Sequence, residues 1–235
     1  MSAPVGSPLP TRCDNRSRVR KILDQGPEGA CTGFAVCAAA EMLFGSNVST
    51  APDLSERWAY HHARRRDPWP GENYEGSTLR AALDGWLHVG ICEEALWPYR
   101  PYPGAPSPGQ FDLVGWEGAP DDGAAENARR YPLTSYFRLP NVLAVKRAIH
   151  DHGLALIGAS VHTGWSEAGE TIRFDKSSQP IGLHAFLLVG YDDFTKTFVV
   201  ANSWGTSWGV EGFAQLSYRD LTMNMVDAWT ASAPR

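Results

Sequence analysis

The 235-residue chain is poor in cysteine, with only Cys13, Cys31, Cys37 and Cys92. No two of them stand at the C-x-x-C spacing of a zinc or dithiol motif, so no metal is expected, and no cofactor is needed for the chemistry read below. No run of about 18 apolar residues is present, so no membrane-spanning helix and no membrane partner are expected. Basic charge is not in excess either. The formal net charge is −5, which argues against a nucleic-acid or anionic-membrane surface. The one dense basic cluster, Arg64, Arg65 and Arg66, reads as the end of a helix. The first ten residues lack the basic start and apolar stretch of a secretory signal. These absences point to a reducing, cytoplasmic setting with free thiols, a Cys13–Cys92 bridge being the alternative pairing. No internal repeat is found.

What the chain does contain changes character midway. Residues 34–44 form an apolar run long enough for a buried helix. Ser55 is a predicted N-cap, with Leu54, Trp58 and His61 or His62 following at helical spacing. A Pro/Gly/Asn-rich loop spans Asp67 to Gly76, and another helix is expected from a Ser77 cap to a Gly90 stop. The Pro/Gly-rich stretch from Arg100 to Gly123 reads as a connection between lobes. Beyond it a helix is expected over Val142–His152. Strands are expected over 131–139, 154–161, 185–191, 197–201 and 212–218, pairing antiparallel. The expectation is an α+β protein with a cleft between its lobes. One domain covers 1–235, with about 20–110 helical and about 9–19 plus 111–235 strand-rich.

Cys31 opens the apolar helix, where the positive end of the helix dipole favours the thiolate. Alone it is as readily an inert buried thiol, which is how Cys37 reads. Gln25, six residues earlier in a Gly-rich turn, can donate a hydrogen bond toward an adduct on that sulfur, beside the Cys31 backbone N–H. His184 lies 153 residues downstream of Cys31 and opens an apolar strand, where it can act as a base. His61, His62, His88, His150 and His152 fall in expected helices, leaving His162 as its one rival. Asn202 follows a short strand and can hold the second ring nitrogen of His184, fixing the tautomer.

These residues, with the stretch Asn202-Ser203-Trp204-Gly205-Thr206-Ser207-Trp208-Gly209 and the entry Leu9-Pro10 to Asp14 and Arg16, resemble the papain-like cysteine peptidases. The resemblance runs from about Leu9 to Trp229. It implies a two-lobe fold, a helical lobe facing an antiparallel β-barrel-like lobe. It also implies peptide-bond hydrolysis by Cys31, His184, Asn202 and Gln25, with Trp204 shielding the Asn–His bond. Almost nothing precedes the domain, so a bacterial-type member without the long inhibitory propeptide is expected. Glu28 stands where relatives commonly have half of a disulfide, and residues 71–76 lack its partner. Thr32 replaces a tryptophan beside the nucleophile, which bears on substrate fit.

Buried glutamates of relatives match Glu41 and Glu56, both read as structural. Matching places Gly76 on the substrate-backbone edge, and Ala159, Gly182 and Leu183 around an apolar, roomy pocket suited to Leu, Val or an aromatic side chain. The expected partner is a peptide or protein substrate. The alternatives are acyl transfer or cleavage of another amide by the same residues, an inactive papain-fold binding protein, and delivery into another cell as an effector.

Overall fold

The apolar run after the proposed nucleophile is helical, as its composition dictates. The computed structural model describes residues 8–69, 75–100 and 119–234, so half of the Asp67–Gly76 loop and most of the Arg100–Gly123 connection lie outside them. Helix α1 spans Cys31–Phe44, and ten of its fourteen residues are buried, which makes it the central helix of its lobe rather than an amphipathic surface helix. Helix α2, Glu56–Arg64, is capped by Ser55, whose hydroxyl accepts the Trp58 N–H at 3.0 Å. It crosses α1 at Gly33, where a Cβ would lie 2.8 Å from both the Glu56 carbonyl and Tyr60 Cβ.

Helix α3, Leu79–Val89, begins one residue later than the sequence suggests. Its cap is Thr78, accepting from Ala81 N–H at 3.1 Å, while the Ser77 hydroxyl donates to Asp67 Oδ2 at 3.2 Å. It stops at Gly90, which has φ +74° and where a side chain would collide with the Ala128 carbonyl.

The second half supplies short helices α4 (Ala124–Ala128), α6 (Thr163–Ser166) and α7 (Tyr218–Asn224), and the longer α5 (Val142–His152). Among the described residues seven strands form one antiparallel sheet: β1 (Arg12–Asp14), β2 (Ser135–Arg138), β3 (Ala155–His162), β4 (Pro180–Asp192), β5 (Thr197–Ala201), β6 (Phe213–Ser217) and β7 (Met225–Ser232). The order is β2-β7-β3-β4-β5-β6, with β1 on β4 beyond the end of β3. Among the described residues β2 and β6 are unpaired with each other, so the sheet stays open rather than closing into the expected barrel-like lobe. Strand β4 starts at Pro180, five residues earlier than expected, so His184 sits inside a strand and not at its head.

The sheet is buried on both faces, and its side chains divide with period two. Leu156, Ala185, Leu187 and Val189 join the core of α1, α2 and α3. Ala155, Ile157, Phe186 and Leu188 join a second core with Val145 and Ile149 of α5 and Leu221 of α7. Truncating a side chain such as Leu187 to Ala would cost about 2–5 kcal/mol. The helix that begins at Cys31 therefore rests directly on the strand that carries His184.

Candidate active site

Cys31 is the first residue of α1 and follows Ala30, which makes no side-chain cap; the Gly33 and Phe34 N–H groups bond the Ala30 carbonyl, which leaves those of Cys31 and Thr32 for the sulfur. Burial raises the Cys31 thiol, and the N–H groups of Ala185, Thr32 and Cys31 itself pull it back down. Burial is the larger effect, so the isolated thiol is not shifted downward as the helix dipole alone would suggest.

His184 is 6% exposed and its Nε2 lies 2.7 Å from Asn202 Oδ1. An amide oxygen accepts, so Nε2 carries the proton and Nδ1 of the neutral ring keeps its lone pair. Burial pushes the imidazole down to about 4, opposed by the hydrogen bond to Asn202. The burial comes from an aromatic wall. Trp204 packs over the ring at 4.7 Å, Phe186 stacks at 5.9 Å and Trp165 meets it edge-on at 6.1 Å. Asn202 Oδ1 also accepts the Ser203 N–H at 2.8 Å, which orients the carboxamide.

The turn carrying Asn202 is strapped to the loop carrying Gln25. Gln25 N–H donates to the Ser203 carbonyl at 2.9 Å, and Gly205 N–H donates to the Leu23 carbonyl at 3.0 Å. Gln25 is buried and its Nε2 donates one hydrogen to the Glu28 carbonyl at 2.9 Å. An amide nitrogen has two hydrogens, so one is left for a ligand.

Gln25, Cys31 and His184 line one cleft of about 760 Å³. Every residue expected at the substrate also lines it: Gly76, Ala159, Gly182, Leu183 and Trp204. Gly76 has φ +96° and donates its N–H to Tyr60 Oη at 2.9 Å. Ala159 is the cross-strand partner of His184, and Leu183 is 74% exposed at the rim.

The lining is not as apolar as the sequence suggests. Glu75 and Asp227 also face the cleft, and no Lys or Arg does among the described residues. Asp227 lies opposite Gly158 across β3 and β7, and a side chain at 158 would collide with its carboxylate. Asp227 could not be found by motif, because the strand that carries it alternates too weakly to be read from sequence.

The rival histidine serves elsewhere. His162 Nε2 lies 2.9 Å from Asp220 Oδ2, both groups are buried, and Nδ1 accepts the Gly164 N–H at 3.2 Å. This pair fixes the start of α6, which carries Trp165. The two glutamates read as structural are buried. Glu41 Oε1 accepts the Leu54 N–H at 3.1 Å, whereas Glu56 faces the acid Glu94, and burial foremost raises both. All four cysteines are free, so no Cys13–Cys92 bridge forms.

Fold and site together place a helix-borne cysteine and a strand-borne histidine, itself bonded to an asparagine, on one cleft between two lobes. The model of the papain family cysteine proteases matches residues 9–231, and the chain belongs to that family. It is 27% identical to an uncharacterized peptidase C1-like protein of Acanthamoeba polyphaga mimivirus, over 84% of this chain and 64% of that protein. The viral cathepsin of Mamestra configurata nucleopolyhedrovirus is 25% identical, over 93% of this chain and 60% of its own length. The chain thus spans less than two thirds of these curated relatives. Xylellain, a cysteine protease from Xylella fastidiosa, superimposes with a TM-score of 0.81 at 27% identity, covering 97% of this chain and 88% of its own.

Proposed function

We propose that the chain is a cysteine peptidase that hydrolyses peptide bonds through a thioester on Cys31. The observation that carries this reading is the cleft shared by Cys31, Gln25 and a His184 whose Nε2 is already committed to Asn202. That commitment leaves Nδ1 as the base. The thiol proton passes from Sγ to Nδ1, and the two charges so created compensate each other where either alone would be costly. Sγ then bonds to the peptide carbonyl carbon. The free hydrogen of Gln25 Nε2 and the Cys31 N–H hold the resulting oxyanion. The C–N bond breaks as the imidazolium gives its proton to the leaving amine. Water, losing a proton to His184, adds to the thioester carbonyl, and the C–S bond breaks to release the acid and the thiolate.

Substrates are extended peptides that place an apolar side chain against Leu79 and Val161, with room for a basic side chain at Asp227 and Glu75. The test is cleavage of a peptide library by the wild type and by Cys31→Ala, with products weighed by mass spectrometry. A free carboxylate at the cleaved bond, lost in Cys31→Ala, is the expected result. A new amide would mean acyl transfer, and no product at all would leave a papain-fold binding protein.

A further inference from the structure

Glu28 takes no part in the chemistry above, yet it sits three residues before Cys31 with only 1% of its surface exposed. A carboxylate so buried requires a partner. Both its oxygens are held by Arg57 of α2, Nη1 to Oε1 at 2.6 Å and Nη2 to Oε2 at 2.6 Å, and the arginine side chain is equally buried. The guanidinium lies over the Tyr99 ring at 4.6 Å and donates to the Arg100 carbonyl at 3.2 Å. The Tyr99 hydroxyl lies 2.9 Å from Glu28 Oε2 and 2.7 Å from the Gln25 carbonyl oxygen. The Glu28 carbonyl in turn accepts from Gln25 Nε2.

A continuous path therefore runs from α2 to the oxyanion donor. Arg57 fixes the Glu28 side chain, the Glu28 main chain fixes one hydrogen of Gln25, and Tyr99 ties down the Gln25 main chain. A buried ion pair is a poor source of net stability compared with apolar packing. A two-point arginine fork is, however, a strict constraint on geometry. Resembling proteins commonly tie this loop by a disulfide; here Cys is replaced by Glu28, and the tie runs to a different element.

We propose that Glu28, Arg57 and Tyr99 are positioning residues that set the oxyanion donor of Gln25, clamping the loop by charge instead of by a covalent bridge. The proposal rests on the reading of Cys31 as nucleophile and Gln25 as oxyanion donor.

Three measurements on each variant separate positioning from general support. They are kcat and KM on a fluorogenic peptide, the inhibition constant of a peptide aldehyde, and the rate of Cys31 alkylation by iodoacetamide. The aldehyde adduct places an oxygen in the oxyanion position, whereas alkylation displaces iodide and forms no oxyanion. Tyr99→Phe keeps the ring over Arg57 and loses only the hydroxyl; Glu28→Gln loses the charge. For Tyr99→Phe, kcat is expected to fall about tenfold and the aldehyde constant to rise by a similar factor, a fraction of the roughly 10²–10³ carried by a whole donor. Glu28→Gln is expected to lose more. KM and alkylation rate should stay within about twofold, since neither needs the oxyanion.

The proposal is overturned if folded Tyr99→Phe keeps its kcat and aldehyde affinity, or if alkylation falls in step with kcat. Should Glu28→Gln fail to fold, Tyr99→Phe still decides. A wild type that is alkylated but cleaves no peptide would sink the peptidase reading alone, and the aldehyde constants would still test the clamp.

Discussion

Ser203 holds Gln25 from two directions: its carbonyl accepts the Gln25 N–H at 2.9 Å, and its hydroxyl donates to Gln25 Oε1 at 2.7 Å. The first bond joins the two lobes at the main chain. The second fixes which end of the carboxamide faces Glu28 and the cleft. Gln25→Ala should therefore lower kcat by about 10²–10³ with little change in KM, the cost of one oxyanion donor. Ser203→Ala keeps the donor but frees its oxygen, so a loss of about tenfold is expected. Steady-state kinetics on one peptide checks both. A raised KM with kcat unchanged would mean a role in binding instead.

Asn202 Oδ1 is shared between His184 Nε2 and the Ser203 N–H. Replacing Asn202 by Ala releases the imidazole and removes the one interaction raising its pKa. A hydrogen bond to a group that becomes charged is worth about 1.5–3 kcal/mol, or about 10–100-fold in rate. The loss should appear in kcat, and the acid limb of the kcat profile should not move upward. An acid limb displaced to higher pH would show that Asn202 does not support the imidazolium.

Asp227 reaches the cleft because Gly158 opposite it has no side chain. Asp227→Asn should leave peptides with neutral side chains cleaved as before and lower kcat/KM about tenfold for those placing Arg or Lys there, an interaction of about 1.4 kcal/mol. Profiling both enzymes on paired Leu and Arg peptides decides the point. An unchanged ratio would return the pocket to the purely apolar character read from sequence.

Glu41 is a buried residue of α1, ten positions after Cys31, and burial pushes its carboxyl up to about 7, opposed by the Leu54 N–H, Lys21 and Arg20. The sign follows from linkage. The folded state holds the proton more tightly than the unfolded chain, so this contribution is full below about 4.5 and is lost as the pH rises through about 7. Glu41→Gln keeps an acceptor for Leu54 and does not titrate. Relative to wild type it should gain stability between pH 4.5 and 7, reaching roughly 1–3 kcal/mol above that range. Denaturant unfolding at pH 4.5 and pH 8 measures the difference. A gain that is the same at both would remove the titration as its cause.

Local motifs marked the residues proposed for the chemistry. Gln25 and Cys31 lie on one short loop and helix start, and Asn202 and Trp204 lie on one turn, so chain spacing alone carries them. His184 was legible from its distance along the chain, although not its place four residues inside a strand, because Ile181, Gly182 and Leu183 are rim residues that gain little from burial. Strand β1 is three polar-flanked residues and has no pattern of its own; it exists because β4 outruns β3 and leaves backbone groups to pair. Strand β7 likewise depends on pairing with both β2 and β3.

The sequence by itself determined the helical first half, the strand-rich second half and the four residues proposed to do the chemistry, because those rest on local pattern and spacing. Tertiary structure alone decided what surrounds them. Trp165 is brought onto His184 by a buried His162–Asp220 pair, Asp227 enters the cleft across Gly158, and Glu28 finds Arg57 on another helix. Each of these depends on partners distant in the chain, and burial turns such meetings from incidental contacts into constraints on charge and geometry.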